Sequence, residues 1–173
     1  MRKMYLSAPL PFVGQKPMLA KEFMKVLEQY PDGTLFVDLF GGSGLLSHIT
    51  KSLKPHSTVI YNDFDNYRFR MKHIPQTNQL LADIREMVGN SVPRHKIIKG
   101  ELRERIFSRI EQEENSTGYV DFITLSSSIL FSMKYKLSVQ DMRKEALYNN
   151  IRKTGYPECT DYLEGLEIVS CDY

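Results

Sequence analysis

The run Leu35-Phe36-Val37-Asp38-Leu39-Phe40-Gly41-Gly42-Ser43-Gly44 constrains this chain more than any other stretch. An apolar segment of strand length ends on an acidic residue and breaks into a glycine-rich turn. A second apolar segment with helical character follows, Leu45-Leu46-Ser47-His48-Ile49. That order spells a buried parallel strand, a tight loop and a helix N-terminus. Glycine there lets the backbone approach a ligand closely and adopt positive φ, and the first N–H groups of the helix are left over for that ligand. The acid at the strand end suits a ligand carrying positive charge or hydroxyl and amine donors. The loop reads as a nucleoside-cofactor site.

The elements around it build an α/β fold. A helix is expected from Pro17, with Leu19, Phe23, Val26 and Leu27 on its apolar face and Pro31-Asp32-Gly33 as its stop. Strand one spans 35–39, a helix runs to about Leu53, and strand two spans 58–61, ending at Asn62-Asp63-Phe64-Asp65. A crossover of that length predicts a parallel βαβ unit. Beyond Asn66 the pattern turns helical, over 66–73, 77–89, 99–113 and 138–151, the last capped by Ser138 with Asp141 three positions on. The 119–131 stretch fits helix or buried strand, with helix preferred. Residues 166–172 read as a third strand, again closing on an acid, Asp172. The expected organisation is a cofactor-binding lobe from 1–66 and 166–173, interrupted by a mostly helical insertion over 67–165. Three strands make a small parallel sheet, so the rest of it is expected elsewhere, or the chain is a fragment.

Composition adds limits. The 173 residues, 42% hydrophobic and 25% charged, suit one soluble globular domain or a small one with an insertion. No apolar run approaches the ~20 residues needed to span a bilayer, and no signal peptide is legible, so a cytoplasmic protein with no membrane partner is expected. Two cysteines make neither a disulfide scaffold nor a metal cluster.

Asp38, Asp63 and Asp172 each close a strand, and ligands of open α/β sheets bind at the carboxyl ends of strands. Asp63 lies about twenty residues past the glycine loop, the spacing of a ribose-hydroxyl acceptor. A nicotinamide site would want a third glycine where Ser47 stands, and its pyrophosphate would be repelled by Asp38. A methionine-derived sulfonium with its amine accepts that carboxylate. The electrostatics therefore favour S-adenosyl-L-methionine, while a plain strand-to-helix turn stays open as the alternative reading of the loop.

Three segments taken in order, Phe12-Val13-Gly14-Gln15-Lys16, Asp38-Leu39-Phe40-Gly41-Gly42-Ser43-Gly44 and Asn62-Asp63-Phe64-Asp65, resemble boxes of the Dam-like N6-adenine DNA methyltransferases. Residues 166–173 are similar to the strand that follows that family's target-recognition insertion. The resemblance implies a Rossmann-like S-adenosyl-L-methionine-dependent fold. It implies that Phe12 and Lys16 close over the cofactor, that Asp38, Phe40, Gly41, Gly42, Ser43 and Gly44 hold its methionine portion, and that Asp63 takes the ribose. By the same resemblance Phe64 packs on the adenine and Asp172 reaches its edge. The family's catalytic box, Asp-Pro-Pro-Tyr, has no counterpart, because the chain contains no Pro-Pro. No catalytic residue is assigned, and the chain is expected to be inactive alone.

Double-stranded DNA is the expected partner, along with a chain carrying the missing catalytic half or a second copy. Residues 66–110 hold ten Lys or Arg against four Asp or Glu, in a chain of net charge +2. Basic density of this kind suits phosphate, and Arg94, Lys96, Lys99, Lys134 and Lys136 are the candidate contacts. Tyr135, Tyr148 and Tyr156 lie among a second basic cluster, Lys134, Lys136, Arg143, Lys144, Arg152 and Lys153, where aromatic rings can stack on bases. The expected function is the cofactor-binding and recognition portion of a site-specific DNA adenine-N6 methyltransferase. The alternative is a degenerate, non-catalytic relative that binds DNA or a partner.

Overall fold

The computed structural model describes residues 3–14, 17–131 and 134–172. Lys16 lies outside them. In chain order the elements are a single 3-10 turn at Pro17–Leu19, then α1 (Ala20–Glu28), β1 (Phe36–Asp38), α2 (Leu45–Leu53), β2 (Val59–Asn62), α3 (Tyr67–Lys72) and α4 (Ile74–Val88). They continue as β3 (Ile97–Ile98), α5 (Gly100–Thr117), α6 (Phe122–Ile129), α7 (Val139–Arg143), β4 (Leu147–Tyr148) and β5 (Glu167–Val169). The chain divides into two compact units, 1–72 with 158–173, and 73–157.

The first unit is α/β. Its sheet runs β1-β2-β5, all parallel, with Val37 beside Ile60 and Tyr61 beside Ile168. The βαβ unit closes at its base through Asp32. Asp32 Oδ1 accepts from the N–H groups of Gly33 and His56, both at 3.0 Å, so the turn that ends α1 is fastened to the turn before β2. One face of the sheet is covered: Ala20, Leu27, Leu45 and Ile49 form a core against which Phe23, Met24 and Phe36 pack. The carboxyl ends of all three strands are drawn together by one side chain. Asn62, 4% exposed, donates from Nδ2 to Leu39 O (3.1 Å) and Cys171 O (3.0 Å), and its Oδ1 accepts from Cys171 N–H (2.9 Å).

The second face of β1 is open. Leu35, Val37 and Leu39, which share a face by the two-residue period of a strand, are 59%, 53% and 58% exposed. Among the described residues β1 pairs on one side only. An apolar sheet edge of this kind invites pairing with another chain.

The second unit, 73–157, is mostly helical. α4 packs along α5, burying Leu80, Leu81, Ile84 and Val88 and, from α5, Ile106, Phe107 and Ile110. Asp121 caps α6, accepting from Thr124 N–H at 3.0 Å, which settles the ambiguous 119–131 stretch as helix. Ser138 caps α7 by accepting from Asp141 N–H, as its spacing predicts. The helix expected to continue to 151 stops at Arg143. Leu147 and Ile98 are both buried, and β4 pairs antiparallel with β3, a two-residue ladder extended by Asn149 N–H to Lys96 O. Pairing with a partner some fifty residues earlier leaves no local period for sequence reading to detect.

Two outcomes follow. Asn62→Ala removes the three hydrogen bonds that tie the ends of β1 and β5 to β2 and should lower unfolding free energy by about 2 kcal/mol, read by urea denaturation. Val37→Lys, on the open edge, should reduce concentration-dependent association in sedimentation velocity while leaving the urea midpoint near wild type.

Candidate functional site

The site begins with a tyrosine. Tyr61, at 0% exposure, lies beneath the glycine loop. Its hydroxyl donates across a fork to Gly42 O (2.7 Å) and to Asp63 Oδ1 (3.0 Å). Burial, and then the charge of Asp63, push the phenol far above its ordinary value, so it stays a donor throughout the physiological range. A Cβ on Gly41 would run into the Tyr61 ring. Gly42, at φ 51°, has Phe12 as its neighbour, where a Cβ would stand 2.9 Å from the ring. The glycines thus have a packing reason that sequence reading had not supplied.

Around this loop the chain forms a cleft of about 190 Å³ lined by Phe12, Val13, Gly14, Asp38, Phe40, Gly41, Gly42, Ser43, Leu45, Leu46 and Asp65. Leu45 and Leu46 open α2, so the N–H end of that helix faces the cleft. Asp38, half-buried at the end of β1, accepts from Ser47 Oγ at 2.6 Å. Ser47, where a nicotinamide site would need its third glycine, instead orients the carboxylate.

The N-terminal segment is fastened over the loop. Tyr67 Oη accepts from Leu10 N–H (2.9 Å), Arg70 Nη2 donates to Pro11 O (2.8 Å), and Phe12 meets Tyr67 edge to face. Further back, His48, fully buried, accepts from Tyr5 N–H at Nε2 (2.9 Å). That fixes its proton on Nδ1, which donates to Tyr162 O (2.7 Å), while the rings stack at 4.7 Å. These anchors put Phe12 on the cleft wall.

The other expected residues are placed differently. Asp63 is 5% exposed and turned into the fold. Beyond Tyr61, its Oδ1 accepts from Tyr67 N–H (2.6 Å) and its Oδ2 from Arg68 N–H (3.0 Å), supplying the first turn of α3 with acceptors. The carboxylate that lines the glycine-loop cleft from this segment is Asp65; Asp63 borders a separate cavity of about 320 Å³ with Arg68, Lys72 and Ser170. Phe64 is 45% exposed and Asp172 is exposed past β5; neither lines the glycine-loop cleft. Sequence reading missed Tyr61, His48 and Tyr162. Tyr61 had a signal, an aromatic inside an apolar strand facing glycines; a histidine on an apolar helix face has none.

In the second unit the candidate basic residues divide. Arg94 donates from Nη1 to Ile151 O (3.2 Å), and Lys96 and Lys99 are exposed at the two ends of β3. Lys134 and Lys136 both pair with Glu145, at 2.6 and 3.1 Å, so one of their two charges is met within the fold. Arg103 and Arg143 share Glu104, and Arg109 bridges Asp83 and Glu113. Among the described residues no cluster of His, Cys, Asp or Glu could hold a metal, and no helix is long and apolar enough to cross a membrane.

Over 173 residues the chain is 40% identical to a Haemophilus influenzae protein named "Putative methyltransferase", the match covering 98% of this chain and 57% of that protein. The chain therefore spans just over half the length of the relative, and the similarity supports a methyltransferase at that coarse level. No family model and no solved structure matches the chain.

Three measurements test the geometry. Gly41→Ala forces the Tyr61 ring aside and should cost about 1–3 kcal/mol of stability, read by thermal and urea unfolding. Tyr61→Phe removes the fork and should cost about 1 kcal/mol, with faster hydrogen exchange across residues 41–44. The Lys134 and Lys136 ammoniums hold the Glu145 carboxyl below its ordinary 4.5. A carboxyl lowered in the folded state stabilises above its unfolded value and loses that contribution as pH falls through the folded value. The difference in thermal midpoint between wild type and Glu145→Gln should therefore be constant above pH 4.5 and shrink in more acidic solution.

Proposed function

We propose that this chain is the S-adenosyl-L-methionine-binding and DNA-recognition portion of a site-specific DNA adenine-N6 methyltransferase, with its first unit part of a Rossmann-like cofactor lobe. The observation that carries the reading is the cleft at the carboxyl end of β1. Two carboxylates, Asp38 and Asp65, border the same glycine loop and helix start. A phosphate would be repelled there, whereas a sulfonium and an α-amine are attracted and the helix N–H end suits the α-carboxylate of the same molecule. The similarity to a protein named as a methyltransferase supports it independently.

In this reading Asp38, oriented by Ser47, and Asp65 take the cationic end, the Gly41–Gly44 backbone and the start of α2 take the carboxylate, and Phe12 covers the cleft. When bound, the cofactor supplies an electrophilic methyl group. At about 190 Å³ the cleft is smaller than the ~300–1,000 Å³ of typical small-molecule sites, so it holds part of the cofactor. The adenosine end is assigned to Phe64 and Asp172 by resemblance. The separate cavity beside Asp63 borders the same β2–α3 turn.

No Pro-Pro occurs in the sequence, so methyl transfer is assigned to the complete assembly with the Asp-Pro-Pro-Tyr box. The second reading is a non-catalytic relative that binds DNA or a partner subunit.

Titration calorimetry of the chain with S-adenosyl-L-methionine and S-adenosylhomocysteine is the direct test. Binding of both is expected, weakened on the order of tenfold by Asp38→Asn, the size of one charge-assisted hydrogen bond. Absence of heat with a folded protein would sink the cofactor assignment. Methyl transfer to DNA after mixing with a chain carrying the box would separate the first reading from the second.

A further inference from the structure

His48 is a buried titratable group that the cleft does not use. It sits inside α2 at 0% exposure, and its two ring nitrogens serve different parts of the chain. Nδ1 donates to Tyr162 O at 2.7 Å, which leaves Nε2 as the acceptor for Tyr5 N–H at 2.9 Å. The Tyr5 hydroxyl in turn donates to Asp161 Oδ1 at 2.8 Å. Tyr5 is thus held at both ends, by side chains 43 and 156 residues away in sequence.

The segment that Tyr5 begins is the one that reaches the cleft. Leu10 is tied to the Tyr67 hydroxyl and Pro11 O to Arg70, and Phe12 stands against Gly42 in the cleft wall. Among these ties, the one at His48 depends on a ring nitrogen that carries no proton. A proton at Nε2 makes both nitrogens donors and sets N–H against the N–H of Tyr5. Ser52 Oγ, 3.4 Å from Nε2, would take that proton's hydrogen bond, because its own hydroxyl already donates to His48 O. The other groups around the ring do not replace the lost acceptor. Asp161 is engaged by the Tyr5 hydroxyl, Cys159 reaches the same hydroxyl, and Lys3 Nζ lies 4.8 Å over the Tyr5 ring. Lys51 donates to Ser57 O, and Lys21, Glu22, Lys25 and Glu28 of α1, the helix packed on α2, are exposed.

Resting on the cofactor reading above, we infer that His48 is a positioning residue, the latch of an N-terminal strap. With Nε2 unprotonated it holds Tyr5, and through the strap it keeps Phe12 over bound cofactor. Protonation opens the strap and speeds cofactor escape. An imidazole in water takes its proton at about pH 6.5. A strap that closes only on the unprotonated ring has its full closing constant above that value. Below it the constant falls about tenfold per pH unit. The latch therefore sets the residence time of the cofactor by a group that never touches it.

Hydrogen exchange of the full chain reads the latch without any ligand. Between pH 7.5 and 5.5 the protection factors of the Tyr5 and Leu10 amides should fall together by about tenfold, while those in the middle of α2 hold. His48→Gln offers a side-chain carbonyl to Tyr5 N–H and does not titrate, so protection in that variant should be independent of pH. His48→Phe keeps a ring beside Tyr162 but no acceptor, and should show low protection at both pH values. A chase of labelled S-adenosyl-L-methionine from the wild type should run about tenfold faster at pH 5.5 than at 7.5, and His48→Gln should remove that dependence. The latch is overturned if folded wild type shows flat protection, if Tyr5 loses protection while Leu10 does not, or if folded His48→Gln shows the wild-type fall. It is overturned equally if the strap opens with pH and the chase rate does not change. Strap opening that follows His48 in a chain that takes up no cofactor leaves the latch standing and removes the cofactor assignment.

Discussion

The placement of one phenol beneath the glycine loop decides the architecture of the first unit. Tyr61 fills the space that any side chain at Gly41 would need, and its hydroxyl reaches both the loop carbonyl of Gly42 and the carboxylate of Asp63. Asp63 passes the constraint to α3 through the N–H groups of Tyr67 and Arg68, and Tyr67 passes it to the N-terminal segment through Leu10. Strand end, glycine loop, following helix and covering segment are therefore one hydrogen-bonded assembly. Its neighbour Asn62 does the same for the sheet, binding the ends of β1 and β5 to β2. A buried polar network is stabilising only when every member is satisfied, which is why the conformation of the loop is so narrowly set.

That network alters how the glycines are understood. A glycine-rich loop between strand and helix invites a ligand explanation, and the acids beside it strengthen one. Here Gly41 is required by Tyr61 whether or not a ligand binds, and Asp63 is required by α3. What the packing leaves at the cleft is Asp38, Asp65, the first turn of α2 and Phe12. The electrostatic case for a cationic nucleoside thus rests on fewer residues than the sequence offered, and on one, Asp65, that the sequence placed in a lesser role.

The two units carry their charge differently. In the second, Glu104, Glu111 and Glu113 pair with Arg103, Arg109 and Arg143 on the helices, and Glu145 pairs with Lys134 and Lys136 between them. A count of basic residues over 66–110 overstates what a polyanion can use, because Arg103 and Arg109 are ion-paired within the fold.

The α/β character, the parallel βαβ unit and most helices were legible because they rest on local periods: apolar runs of strand length, a Pro-Asp-Gly stop, a capping residue at Ser138. The glycine loop was legible because its residue types admit few other backbones. What only the tertiary structure decided were the pairings over long sequence distance. They are β3 with β4, His48 with Tyr5 and Tyr162, Asn62 with Cys171, and the turning of Asp63 inward while Asp65 faces the cleft. The reason is physical. A helix or turn is specified by neighbours a few residues apart, but the orientation of a carboxylate at a strand end depends on which donors the rest of the fold brings to it.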